Sequence, residues 1–259
     1  TMRWISFALL LALAAHSAER QLTSSPHHHV LDNNDNFSPD DRFLCFDTRG
    51  SGHAISKVDT RSGAESVVYS AGPTVLAASF HPRAAEIVFI HGPFDQPYAK
   101  TNRLGASVGP SGTPRFLDTR DVASPTTPPG AHRGGTHRHE YSLDGSRVGF
   151  TYDDHLLPQY GRTIGMLVPH PAAPGGRMWF TILVSVVPEA EARPGDIVMA
   201  AGDSWVGEDG RMRAFAGRVK EPNGSFRNSL FVVDIPASVD VTTAFAGDAA
   251  RFPAPPRCL

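Results

Sequence analysis

The sequence predicts an all-β protein, a β-propeller assembled from four-stranded blades. Three observations predict it. Proline (22) and glycine (24) are scattered through the 259 residues, which interrupts the chain too often for long helices. A unit made of an aromatic residue, a polar turn and an apolar strand recurs, clearest where it begins at Phe37, Phe80 and Tyr141. Beside it stands a second type of hairpin, and two hairpins in series make the sheet that propellers repeat radially.

At the N-terminus, residues 2–18 read MRWISFALLLALAAHSA, with a basic Arg3, an apolar run from Ile5 to Ala15, and small residues at Ser17 and Ala18. That is the layout of a secretory signal peptide. The run is too short to span a bilayer comfortably, and no other segment approaches that length. The expectation is a signal peptide over 1–18, a propeller domain over 19–259 with no membrane span after cleavage, and a secreted or periplasmic location.

The repeat unit occupies 36–47 (NFSPDDRFLCFD), 79–91 (SFHPRAAEIVFIH), 140–153 (EYSLDGSRVGFTYD) and, more weakly, 204–219 (SWVGEDGRMRAFAGRV). In the third copy Tyr141 closes one strand and Leu143-Asp144-Gly145-Ser146 makes a tight turn. Gly145 supplies the positive φ there, and Val148, Phe150 and Tyr152 alternate onto one face of the next strand. Ser38-Pro39-Asp40-Asp41 does the same in the first copy without a glycine. The second hairpin type spans 54–69, where Ile55 and Val58 precede a turn at Arg61-Ser62-Gly63 and Val67, Val68 and Tyr69 return. Residues 229–241 repeat that form.

Segments 98–135 and 169–195 are rich in Pro, Gly and Thr and read as long loops. The tail, 251–259, reads as a linker into a further blade. Four to five blades are therefore expected, in a ring left incomplete by a truncated reading frame. Cys45, in the apolar run FLCF, reads as a small buried thiol, and Cys258 lies on the Pro-rich tail. Packing rather than a disulfide is expected to hold the fold. The net charge of -2 gives no basic footprint for nucleic acid. Arginine greatly outnumbers lysine, which suits carboxylate or sulfate groups and is equally a compositional habit.

The stretches PHHHVLDNNDNFSPDDRFLCFDTR (26–49), IVFIHGP (87–93), HRGGTHRHEYSLDGSRVGFTYDDHLL (132–157) and GRTIGML (161–167) resemble the DUF3748, or YidR-like, group of exported TolB-like propellers. The resemblance covers most of the mature chain. More distantly the chain is similar to the seven-bladed propeller polysaccharide lyases, the oligogalacturonate and ulvan lyases. These place His, Tyr and Arg side chains, with a metal ion in some members, at one end of a central channel. The resemblance implies a truncated seven-bladed propeller that lacks any site residues carried by later blades.

Functional side chains are densest over 130–155, which holds His132, Arg133, His137, Arg138, His139, Glu140, Tyr152, Asp153, Asp154 and His155. Strand alternation puts His137 and His139 on one face. Joined by His132 or His155, they form an imidazole set for Zn or Mn. Gly134-Gly135 lets a backbone approach a ligand closely, or makes a sharp turn. Cleavage of a uronate polymer by β-elimination needs its carboxylate neutralised, a base, and an acid for the leaving oxygen. Arg133, Arg162 or a His-bound cation supplies the first role, His137, His139 or His155 the second, and Tyr152 or Tyr160 the third. The competing reading is structural, with the same side chains tying blades together.

His91 at a strand end, His132, Tyr160 and Trp205 are the candidate substrate contacts, although Trp205 also stands where the repeat wants an apolar anchor. His27-His28-His29 reads as native sequence, with His29 facing either the channel or solvent. No nucleophile elbow, phosphate loop or dinucleotide fingerprint is present. The expected function is that of a lyase acting on an acidic polysaccharide or oligosaccharide. The alternative is a non-catalytic propeller binding a protein or glycan partner.

Overall fold

The computed structural model describes residues 19–50, 52–72, 74–92, 99–122, 127–238, 240–243 and 257–258. The expected signal peptide, 1–18, lies outside them. The described strands form four antiparallel sheets in chain order. The first holds β1 (Phe43–Asp47), β2 (Ala54–Asp59) and β3 (Glu65–Ser70), and the second β4 (Thr74–Phe80), β5 (Ile87–Gly92), β6 (Leu104–Val108) and β7 (Pro114–Phe116). The third holds β8 (Gly134–Tyr141), β9 (Val148–Asp154), β10 (Thr163–Pro169) and β11 (Met178–Ile182). The fourth holds β12 (Ile197–Trp205), β13 (Met212–Lys220), β14 (Phe226–Asp234) and β15 (Arg257–Cys258). Bridges Val30↔Asp47 and Phe37↔Leu44 lie along the edge of β1 that β2 leaves free, where each of the other sheets has its first strand. The fold is all-β and propeller-like, as the repeats imply.

Each repeat unit is the end of an innermost strand, its turn and the following strand. Phe80, Tyr141 and Trp205 end β4, β8 and β12. The turn after Tyr141 has Gly145 at φ 76°, and Asp41 takes φ 55° in the turn that has no glycine. Two of the expected loops contain strands. Residues 98–135 carry β6 and β7, and 169–195 carry β11. These outer strands lack the aromatic-turn signature: β6 (LGASV) is built mostly of small residues and β7 has three residues including a proline. The hairpin expected over 229–241 is absent, because β14 runs to Asp234 and pairs with β13 on one side. On its other side β14 pairs with Arg257–Cys258, so this part of the expected linker is an outer strand.

Apolar faces of successive sheets pack on one another. Ile55 meets Val75, Phe80 and Phe89 between the first two sheets; Val88 meets Phe150 and Phe180 between the second and third; Ile164 and Met166 meet Phe215 and Val233 between the third and fourth. Each such side chain contributes about 1.5–3 kcal/mol by leaving water.

The innermost strands share a bulge. Register shifts fall at Leu76/Ser79, His137/Glu140 and Ala201/Ser204, and in each a residue turns left-handed: Ala77 (φ 57°), Arg138 (φ 58°) and Gly202 (φ 65°). A side chain there costs roughly 1 kcal/mol relative to glycine. Arg138→Gly is therefore expected to preserve or raise the denaturation midpoint. Arg138→Val is expected to lower stability by about 1–2 kcal/mol, because β-branching is worst at positive φ. Equal midpoints for the two variants would contradict this account of the bulge.

Candidate functional site

The innermost strands begin at the end of the sheets where the second strands finish, so Gly135 lies opposite Asp153. Arg103 enters β6 and Arg162 enters β10 at this same end. Both converge on one carboxylate: Arg103 Nη2 donates to Asp153 Oδ2 at 2.7 Å and Arg162 Nε at 3.0 Å. Arg162 is more than a third exposed (38%), whereas Arg103 is buried.

Next to this triad Arg133 Nε donates to Asp154 Oδ2 at 2.8 Å. The same oxygen accepts the Tyr152 hydroxyl at 3.2 Å, and the Tyr152 oxygen accepts the Arg133 N–H at 3.3 Å. The glycine pair serves the chain's own backbone. A Cβ on Gly134 would stand 1.8 Å from the Asp153 carbonyl oxygen, and one on Gly135 2.7 Å from Lys100 Cα. That close approach draws the Asp153 strand end and the Lys100–Arg103 segment together.

His137, half-buried on β8, has its pKa pushed down to about 3, first by burial and then by Arg103 and Arg162. Its imidazole is neutral at physiological pH. His139 is fully buried, its pKa pushed down to about 4 mainly by burial. The left-handed Arg138 between them breaks the strand alternation that would set both rings on one face. Among the described residues no group of three His, Cys, Asp or Glu side chains is arranged to hold a metal ion. The described residues therefore do not fit the expected Zn or Mn set.

The other expected residues are dispersed. His132 is fully buried between the second and third sheets, with Nε2 3.1 Å from Asp118 Oδ2 and the ring against Phe180. Tyr152 is 3% exposed within the same core. His91 shares a 3.0 Å hydrogen bond with the Tyr69 hydroxyl and packs beside Phe116. Trp205 donates from Nε1 to the Glu140 carbonyl at 3.0 Å, as an anchor for the fourth sheet on the third, and Tyr160 packs against the same core. His155 is exposed just beyond β9. His29, half-buried, bonds Ser25 and Glu65 beside the first sheet.

Sequence reasoning missed Arg103 and a second charged cluster, where Arg213 of β13 reaches Asp203 and Glu140 in the interior. Arg213 was detectable. It shares the inward phase of β13 with Phe215, Gly217 and Val219, where an arginine calls for a buried acid. Arg103 gave no such signal, because it precedes a strand that itself read as loop.

Residues 74–173, spanning the second sheet and most of the third, match the model of the family DUF3748, described as a protein of unknown function. Across 271 positions the chain is 32% identical to "Uncharacterized protein YidR" of Escherichia coli (strain K12), covering 93% of this chain and 64% of that one. TolB from Acinetobacter baumannii superposes with a TM-score of 0.53 at 16% identity, covering 84% of this chain and 44% of TolB. A remoter likeness is oligogalacturonate lyase from Vibrio parahaemolyticus, with a TM-score of 0.43, 15% identity, and coverage of 76% and 49%. The chain thus spans less than two thirds of the length of each of these proteins. It is similar to YidR over most of its own length, carries the DUF3748 match over residues 74–173, and shares the β-propeller fold of TolB.

Proposed function

We propose that this chain belongs to an exported, carbohydrate-active propeller that binds the carboxylates of a uronate-containing polysaccharide at the Arg103–Asp153–Arg162 end. The observation that supports this is the pair of arginines sharing one carboxylate at a strand end, with Arg162 exposed there and Arg103 buried behind it. Planar guanidinium groups match carboxylates in geometry as well as charge. In the lyase reading, Arg162 neutralises the uronate carboxylate and His137 takes the adjacent proton, its basicity raised in the complex as the anionic substrate offsets Arg103 and Arg162, two of the groups that hold its pKa down. Tyr160, three residues past Leu157 at the same end, is the remaining tyrosine for the leaving oxygen. Tyr152 and His139, the other candidates for acid and base, are packed inside.

That burial supports a second reading, a non-catalytic propeller binding the same glycan. Arg162→Ala is expected to weaken polygalacturonate binding about tenfold or more, the worth of a charge-assisted hydrogen bond, as read by calorimetry. Ultraviolet absorbance of an unsaturated product, lost in His137→Ala while binding persists, supports the lyase. Binding without product supports the glycan-binding module. Equal affinity of wild type and Arg162→Ala would reject both at this end.

A further inference from the structure

A cavity of about 550 Å³ opens between the second and third sheets at the opposite end of β8, by Tyr141 and the Gly145 turn. It lies about 20 Å from the Asp153 triad along the strand, at roughly 3.3 Å per residue. Its size is that of a small-molecule site. Its walls are rich in donors. The Nδ1 of His81 accepts the Arg83 N–H at 3.0 Å and the Nδ1 of His170 accepts the Ala172 N–H at 3.1 Å. Each ring's remaining nitrogen, Nε2, therefore carries the proton and donates.

Arg177 is anchored by Nη1 on the Asp118 carbonyl at 2.6 Å and lies over the Phe116 ring. Among the described residues no carboxylate forms an ion pair with it. The one carboxylate lining the cavity, Glu86, is already engaged by the Tyr141 hydroxyl at 2.7 Å and Arg115 at 3.0 Å. The His81 ring, 4.4 Å from that of Tyr141, lies close against Gly145, where a Cβ would stand 2.4 Å from His81 Cε1.

The geometry points to this cavity as a binding site for a small organic oxyanion, a carboxylate, sulfate or phosphate monoester, held by Arg177, His81 and His170. It is independent of the saccharide reading of the other end. Calorimetry with inorganic phosphate and inorganic sulfate, together with imidazole NMR shifts of His81 and His170, tests it. The expected result is binding of at least one of the two anions with both rings shifting, weakened at least tenfold by Arg177→Ala. Two results would overturn it: no ring shift with either anion in the millimolar range, or affinity unchanged in Arg177→Ala. The ring shifts are read in the unsubstituted protein, so the test survives a variant that fails to fold.

Discussion

Arg213→Met is expected to destabilise the protein by about 3–5 kcal/mol, the range for removing one partner of a buried ion pair. Arg213 is 0% exposed. Its Nη2 bonds Asp203 and lies 3.4 Å from Glu140 Oε2, and its guanidinium carbon sits 4.6 Å from the Trp205 ring centre. Gly149 leaves the space, because a Cβ there would come within 1.8 Å of Arg213 Nη1. Burial raises the pKa of both Glu140 and Asp35, and Arg213 works against that rise in each. Without the guanidinium both climb further. A carboxyl with a raised folded pKa holds its proton more firmly in the folded state, so its contribution to stability falls as pH rises above the ordinary carboxylate range. The deficit of Arg213→Met should therefore be larger near about pH 8 than near about pH 5 in guanidinium titrations. A midpoint within experimental error of wild type at both pH values would show that the cluster is neither buried nor coupled as described.

The contrast between Arg213 and His137 shows what the sequence could disclose. The aromatic-turn-strand units were legible because each rests on local chemistry, such as the Gly145 turn and the Val148–Phe150–Tyr152 alternation, and local chemistry is written in consecutive residues. The later strands β6, β7 and β11 were not: the small residues of β6 and the three-residue, proline-bearing β7 carry no period, and β11 (MWFTI) is buried throughout and so shows no alternation. The bulge at Arg138 was equally silent. An arginine advertises no left-handed backbone, so the strict alternation that paired His137 with His139 had no warning against it. Arg103 and Asp153 lie 50 residues apart and meet only because successive sheets stack. Their partnership is a property of the fold, whereas the inward phase of Arg213 was visible in its own strand.

His139 links that hidden bulge to a measurable instability. With its folded pKa at about 4 against an ordinary 6.5, the unfolded chain binds the proton more readily, so stability is lost as pH falls from 6.5 towards 4. The shift corresponds to about 3 kcal/mol at 1.36 kcal/mol per unit. Its ring lies against the backbone of Gly105, where a Cβ would stand 2.7 Å from Nε2, and neither ring nitrogen has a hydrogen-bond partner among the described residues. His139→Leu removes both the titrating group and an unsatisfied buried N–H. It is expected to match or exceed wild-type stability at neutral pH and to flatten the acid limb of a stability–pH curve. The raised carboxyls Glu140 and Asp35 act with the opposite sign over that range, gaining stability on acidification, so the total curve mixes the two. Only the difference between wild type and His139→Leu isolates the imidazole. If that difference does not change between about pH 7 and pH 4, burial is not what keeps His139 neutral.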